Sequence, residues 1–184
     1  MKVIKDTELI LTTENKVYHL NISKNEIADT IIIVGDSARV KQVSKHFSKV
    51  DFIIENREFV THTGMYNGKR ISVLSTGIGT DNIDIVLNEL DAAVNIDFET
   101  RTINTNKKSL NIIRLGTSGA LQKDIEVDSF IMATHGLGFD GLAHFYKSKN
   151  IIENNISEAF AKHSNWPKKL ANPYIVNASE KLLS

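Results

Sequence analysis

Short apolar runs that end at a glycine constrain the fold of this chain more than any other feature. The first is Thr30-Ile31-Ile32-Ile33-Val34, in which every residue is β-branched and which stops at Gly35. Such a run is typical of a strand that is buried on both faces. Apolar residues then recur at helical spacing between positions 40 and 47. Residues 35–39 are therefore predicted to be a strand-to-helix turn.

The same alternation continues along the chain. Apolar patterning predicts further strands at residues 51–54, 58–66, 70–75, 110–115, 129–134 and 174–176, and helices at residues 83–94 and 156–163. Thr80 or Asp81 is expected to cap the first of these two helices, and the polar residues 97–108 to form a surface loop. Asn67-Gly68 is a strong hairpin signal. The chain is therefore predicted to be α/β, with a mixed, largely parallel sheet.

Composition excludes several functional classes. The 184 residues carry 22 basic and 22 acidic side chains, and this balance argues against nucleic-acid binding. The absence of cysteine excludes disulfides and thiolate metal sites, and the six histidines lack metal-ligand spacing, so no metal is expected. No apolar run approaches the roughly 20 residues of a membrane span, and no secretory signal opens the chain, so a cytoplasmic location is expected.

The chain is interpreted as a single domain over residues 1–184, because no Pro/Gly/Ser-rich linker divides it. Its last six residues, 179–184, open an amphipathic helical pattern and stop within it. We therefore expect a truncated domain or a partial chain, with a short terminal turn as the alternative.

Glycines follow four of the predicted strands, at position 35 and within residues 77–79, 116–119 and 136–138. In open α/β sheets, ligands bind beyond the carboxyl ends of the strands, where glycine lets backbone N–H groups approach them. A helix that begins there favours an anion. A single glycine after a strand is weak evidence, since it often marks an ordinary turn.

Two arginines make an anion site more specific. Arg39 lies at the start of the first predicted helix, and Arg114 lies in an apolar strand just before Gly116 and Thr117. A guanidinium in an apolar strand is costly to bury without an anionic partner. Arg114 is therefore expected either to clamp a phosphate in bidentate fashion or to pair with a carboxylate. Arg57 is a third candidate, although a solvated arginine is its simplest interpretation.

The sequence contains no complete nucleotide-binding motif. Residues 136–141 match G-x-G-x-x-G in letters, but neither a convincing helix nor an acid at the required distance follows them. No G-x-x-x-x-G-K-[ST] motif is present. A Rossmann-type nucleotide site is therefore disfavoured.

Four motifs in order resemble one known family. They are Val34-Gly35-Asp36-Ser37-Ala38-Arg39-Val40, Arg57-Glu58-Phe59, Ser75-Thr76-Gly77-Ile78-Gly79 and Ile113-Arg114-Leu115-Gly116-Thr117-Ser118-Gly119-Ala120. The chain resembles the nucleoside phosphorylase family, which includes uridine phosphorylase and hexameric purine nucleoside phosphorylase, over about residues 17–143. The resemblance implies a three-layer α/β/α sandwich. It also implies phosphorolysis of a nucleoside to a free base and a pentose 1-phosphate, with inorganic phosphate as co-substrate and no cofactor.

The resemblance also assigns roles to residues. Those implied to hold phosphate are Gly35, Arg39, Arg57, Arg114, Gly116 and Thr117, with Arg114 and Thr117 closest to the chemistry. Arg57 resembles the arginine that the family sends into a neighbouring subunit's phosphate site. His19 resembles the histidine that reaches a neighbour's ribose. A homodimer or hexamer with shared active sites is therefore expected.

Within the family, Arg57-Glu58-Phe59, residues 116–119 and residues 140–145 look more like uridine phosphorylase than the purine enzyme. The polar insertion at residues 97–108 departs from the short bacterial pattern. The family's groups for the ribose hydroxyls and for uracil are expected downstream of Ser184, so residues 1–184 alone are expected to bind phosphate with little or no turnover. A purine nucleoside phosphorylase, a nucleosidase of the same fold and a non-catalytic binding module remain alternatives.

Overall fold

The computed structural model describes residues 2–183, so Met1 and Ser184 lie outside the described residues. The chain divides into two compact units, Met1–Ser118 and Gly119–Ser184. The prediction of a single domain over residues 1–184 stays a prediction.

The first unit contains the glycine-punctuated strands. A short 3-10 helix at Lys24–Glu26 precedes its sheet. The regular elements that follow are β1 (Thr30–Val34), α1 (Ser37–Ser44), β2 (Lys49–Asn56), β3 (Phe59–Tyr66), β4 (Lys69–Ser75), α2 (Thr80–Asn95), β5 (Ile96–Asp97), β6 (Thr102–Ile103) and β7 (Asn111–Leu115).

Within residues 2–183, β2, β3, β4, β1 and β7 form one sheet in that spatial order. β1 pairs in parallel with β4 on one side and with β7 on the other. β3 pairs antiparallel with β2 and with β4. The predicted hairpin is confirmed, since Asn67 and Gly68 both have positive φ (46° and 74°) between paired Tyr66 and Lys69. The sheet is mixed, as predicted.

Helices cover both faces of this sheet. Alternate residues of β1 point to opposite faces, as the period of a strand requires. Ile31 and Ile33 pack in one cluster with Val86 and Leu90 of α2. Val34 packs in a second cluster with Val40 of α1. The first unit is thus a three-layer α/β/α sandwich, which confirms the predicted fold class.

The second unit has less regular structure. It contains β8 (His135–Gly138), a 3-10 helix (Leu142–Phe145), α3 (Asn154–His163), β9 (Tyr174–Asn177) and α4 (Glu180–Leu183). β8 and β9 pair antiparallel. Phe139 stacks on Trp166 with ring centroids 5.4 Å apart, and both rings contact Phe160.

Several local predictions were wrong. Residues 129–134 are irregular and Phe130 is fully exposed, although Thr134 accepts a backbone hydrogen bond at 2.8 Å from Ala178, directly after β9. The strand lies at β8 instead, so Gly136 and Gly138 are inside a strand rather than in a turn. The predicted loop 97–108 contains the hairpin of β5 and β6. α2 is capped by Gly79 without a side-chain cap, because its φ of 105° requires glycine.

Candidate functional site

Parallel pairing brings three predicted loops to one edge of the sheet. Val34, the last residue of β1, lies in register with Ser75 at the end of β4 and with Leu115 at the end of β7. The chain leaves all three strands in the same direction. The glycine turns at 35, at 77–79 and at 116–117 therefore meet beyond their carboxyl ends, where ligands bind in α/β sheets.

The loop after β1 presents Arg39 and a helix N-terminus. Asp36 caps α1 by accepting a hydrogen bond from the backbone N–H of Ala38 at 2.9 Å. Arg39 lies in the first turn of α1 and is half-buried. A β-carbon added at Gly35 would meet only the carbonyl oxygen of Gly77, at 3.9 Å. Packing within the chain therefore does not require a glycine at this position.

The loop after β7 presents Arg114 and Thr117. The Arg114 guanidinium folds back over Gly116 so closely that a β-carbon there would overlap its Nη1 atom. Nη2 of Arg39 lies 3.5 Å from Oγ1 of Thr117, the long end of the hydrogen-bond range. The Arg114 side chain is exposed, because β7 lies at the edge of the sheet within the described residues.

The loop after β4 is held by a contact that the sequence did not predict. Gly77 has a φ of 67°, and a β-carbon there would overlap the side-chain nitrogen of Asn82. That nitrogen donates to Oε1 of Glu58 at 3.1 Å. Ile78, between the two glycines, is 93% exposed.

Together these loops line an open pocket of about 620 Å³. We call it the strand-end pocket. It is lined by Gly35, Asp36, Ser37, Arg39, Glu58, Gly77, Ile78, Asn82, Arg114 and Thr117.

The two arginines of the strand-end pocket are available to an anion, although two carboxylates also line it. Across residues 2–183, no carboxylate lies within ion-pairing distance of Arg39 or Arg114. The two carboxylates that line the pocket already have partners. Asp36 caps α1 and Glu58 accepts from Asn82. Two guanidinium groups and a helix N-terminus thus line the same pocket, and neither arginine is ion-paired with the two carboxylates that share it.

Arg57 and His19 lie in a second group, which we call the His19 cluster: Tyr18, His19, Asn56, Arg57 and Glu89. Arg57 occupies the tight turn between β2 and β3 with a φ of 55°, and its guanidinium lies 5.5 Å from the ring centre of Tyr18. Tyr18 packs edge-on against His19 at 5.1 Å. Arg57 does not line the strand-end pocket of its own chain.

Sequence reasoning missed several members of these groups. Asp36 and Ser37 carried a usable signal, since an acid after a strand-end glycine is a common helix cap. Glu58, Asn82 and Glu89 carried no such signal, because their partners lie 24 to 70 positions away in sequence.

In the part of the chain that the structure describes, no group of three or more His, Asp or Glu side chains could hold a metal. Between Lys2 and Leu183, no helix is both long and apolar enough to cross a membrane.

Residues 29–183 match the family model of the phosphorylase superfamily. This chain belongs to that superfamily. It is 32% identical over 139 residues to a uridine phosphorylase of Treponema pallidum (strain Nichols), a match that covers 76% of this chain and 48% of the relative. It is 37% identical over 117 residues to a DeoD-type purine nucleoside phosphorylase of Clostridium novyi (strain NT), covering 62% and 44% of the two chains.

Solved structures of nucleoside phosphorylases also match this chain. A Trypanosoma brucei nucleoside phosphorylase, described as showing uridine phosphorylase activity, superposes with a TM-score of 0.84 at 27% identity, covering 95% of this chain and 59% of that one. A uridine phosphorylase of Phytophthora capsici gives a TM-score of 0.55 at 26% identity, covering 68% and 39%. The chain spans about half the length of the curated relatives it matches.

Proposed function

We propose that this chain carries the phosphate site of a nucleoside phosphorylase, which converts a nucleoside and inorganic phosphate to a free base and a (deoxy)ribose 1-phosphate. One observation carries the proposal. Arg39 and Arg114 line the same pocket at the carboxyl ends of parallel strands, and neither is paired with a carboxylate of the described residues. The superfamily match and the names of the relatives support the same reaction.

The chemistry follows from the charge that develops during cleavage. Breaking the glycosidic bond places positive charge on the ribose ring, and a phosphate dianion beneath the ring stabilises that charge before it attacks. Arg114 is suited to grip two phosphate oxygens, and Arg39 and the hydroxyl of Thr117 to hold a third. The backbone N–H groups of Gly35 and Gly116 add neutral donors. The protein contributes position and preorganised electrostatics, and the reaction requires no cofactor.

The active site is proposed to be shared between subunits of a homodimer or hexamer. Arg57 would complete the phosphate site of a neighbour, and His19 would contact the neighbour's ribose. Two observations support this arrangement. Arg57 lies outside its own strand-end pocket, and it is grouped with His19 through Tyr18.

Uridine or a related pyrimidine nucleoside is the favoured substrate. The Trypanosoma brucei structure, with its reported uridine phosphorylase activity, covers nearly all of this chain. A purine nucleoside is the second candidate, because the DeoD-type relatives reach the higher sequence identity, 37%. In either case we propose a role in nucleoside salvage in the cytoplasm. The residues described here are expected to bind phosphate by themselves and to need further groups for turnover.

The test is cleavage of uridine, thymidine and inosine by the complete protein as encoded, with and without phosphate, followed by chromatography of base and sugar products. Phosphorolysis predicts cleavage that depends on phosphate and yields pentose 1-phosphate. Equal cleavage without phosphate would identify a nucleosidase instead. Phosphate binding without cleavage of any nucleoside would leave only a binding module and overturn the proposed reaction.

A further inference from the structure

We propose that Glu89 is a positioning residue that fixes the ring of His19 for binding a ribose hydroxyl. This role rests on the proposed function, in which His19 contacts the ribose of a neighbouring subunit. Glu89 lies in α2, 70 positions from His19 in sequence, and its side chain is only 12% exposed.

The Glu89 carboxylate receives three donors from one short segment. The backbone N–H of His19 lies 2.9 Å from Oε1 and 3.0 Å from Oε2, and the backbone N–H of Leu20 lies 2.8 Å from Oε2. Nδ1 of the His19 ring lies 2.7 Å from Oε1. A single side chain therefore holds both the backbone and the ring of the residue proposed to reach ribose.

The remaining polar groups of His19 show which atom is left for a ligand. The side-chain nitrogen of Asn56 donates to the His19 carbonyl at 2.7 Å. The flanking residues Val17 and Leu20 are fully buried, so the backbone on both sides is anchored. Within the described residues, Nε2 is the one polar atom of His19 without a hydrogen-bond partner.

The chemistry of the carboxylate sets the tautomer. An ionised carboxylate only accepts hydrogen bonds, so Nδ1 of His19 must carry the proton and donate it. In the neutral ring, Nε2 then presents a lone pair. A ribose hydroxyl can donate a hydrogen bond to this lone pair. Because the ring is already oriented, little rotational freedom is lost when ribose binds.

The first test is the near-isosteric variant Glu89→Gln in the complete protein. Its amide N–H₂ would oppose one of the backbone N–H donors, so the segment at His19 should shift although the volume is unchanged. The KM for the nucleoside is expected to rise by about tenfold or more, while the KM for phosphate stays unchanged. Asp91→Asn is the matched control, since it removes an exposed carboxylate from the same helix. An unchanged nucleoside KM in the glutamine variant would overturn the proposal.

A double-mutant cycle separates positioning from general loss of structure. Once His19→Asn has removed the ring, adding Glu89→Gln should raise the nucleoside KM no further, because Glu89 then has no ring to orient. Additive effects of the two substitutions would contradict positioning. Glu89→Asp, which retains the carboxylate, should recover part of the loss.

The tautomer can be measured without any turnover. Long-range ¹H–¹⁵N NMR of labelled protein, with His19 assigned from the His19→Asn variant, should show the Nδ1–H tautomer, and Glu89→Gln should reduce it. An Nε2–H tautomer in the parent protein would overturn the proposal even if phosphorolysis is observed. The expected tautomer with no phosphorolysis of any nucleoside would instead contradict the proposed function and leave the His19–Glu89 contact in place.

Discussion

The strand-end pocket and the His19 cluster differ in how far the chain itself satisfies their polar groups. In the His19 cluster, the N–H, the carbonyl and one ring nitrogen of His19 all have partners within the chain. In the strand-end pocket, Arg39 makes one long contact with Thr117, and Arg114 has no carboxylate partner within residues 2–183. One group is already organised, whereas the other has donors that are still available.

This difference indicates which ligand or partner each of the two groups is suited to bind. Two guanidinium groups that face one pocket repel each other until an anion lies between them, so phosphate should stabilise the fold as well as bind to it. The His19 cluster contains one arginine, so it has no such repulsion to relieve within its own chain. It presents one ring nitrogen and one arginine outward, an arrangement suited to completing a site that another subunit provides.

The largest expected effect comes from Arg114→Ala. Loss of the bidentate clamp should lower kcat/KM for phosphate by roughly a hundredfold to a thousandfold, as for other groups that hold charge in a transition state. Steady-state kinetics of the complete protein with varied phosphate measures it. Lys69→Ala is the control, because it removes one positive charge from the opposite end of β4. Unchanged phosphate dependence in the Arg114 variant would show that the pocket does not hold the co-substrate.

The second prediction concerns Arg57→Ala, which should lower kcat/KM for phosphate by about tenfold or more through loss of a charge-assisted hydrogen bond. If Arg57 serves a neighbour, mixing it with Arg114→Ala subunits should restore activity, because some pairs then contain one intact site. Random mixing of dimers predicts recovery of roughly a quarter of the parental rate. No recovery after verified subunit exchange would place Arg57 in its own subunit's site or in none.

The features that the sequence predicted correctly depend on local patterns. β1, the Asn67-Gly68 hairpin and, apart from β5 and β6, the order of strands and α-helices in the first unit follow from periodicity and turn chemistry. The convergence of Gly35, Gly77 and Thr117 also follows, because the carboxyl ends of parallel neighbouring strands share an edge.

The features that were not predicted depend on partners distant in sequence. The apolar pattern of residues 129–134 fits a strand, but a strand also needs a neighbour with which to hydrogen-bond, and periodicity does not reveal one. The exposure of Arg114 depends on the position of β7 at the edge of the sheet. Glu89 is an ordinary glutamate on a helix until the fold brings His19 to it.

A third prediction tests whether the sheet that carries both groups weakens in acid. His62, on β3 just after the Arg57 turn, is 4% exposed, and burial lowers its pKa. The unfolded chain therefore binds this proton more readily than the folded chain. The free energy of unfolding should fall as the pH drops below about 6.5, by at most about 1.4 kcal/mol per pH unit from this group.

Denaturant unfolding between pH 5 and pH 8 measures this slope. His62→Gln should remove part of it, whereas the same substitution at the exposed His46 should leave it unchanged. If the slope persists in the His62 variant, the acid sensitivity arises from other titrating groups.

The smallest expected effects are those of Gly35→Ala. This variant is also the most selective test of the pocket, because its free energy of unfolding and its phosphate binding should change independently. In Gly35→Ala the added methyl group has room within the chain, since its nearest neighbour would be the Gly77 carbonyl at 3.9 Å. The variant should therefore keep its free energy of unfolding or gain up to about 1 kcal/mol, because alanine restricts the unfolded chain. If an anion lies against this backbone, the same methyl group should raise the KM for phosphate severalfold.

Gly77→Ala provides the contrast, because its φ of 67° and the contact with Asn82 should make it destabilising whether or not phosphate is present. An unchanged phosphate KM in Gly35→Ala would mean that the anion does not approach the backbone at the end of β1.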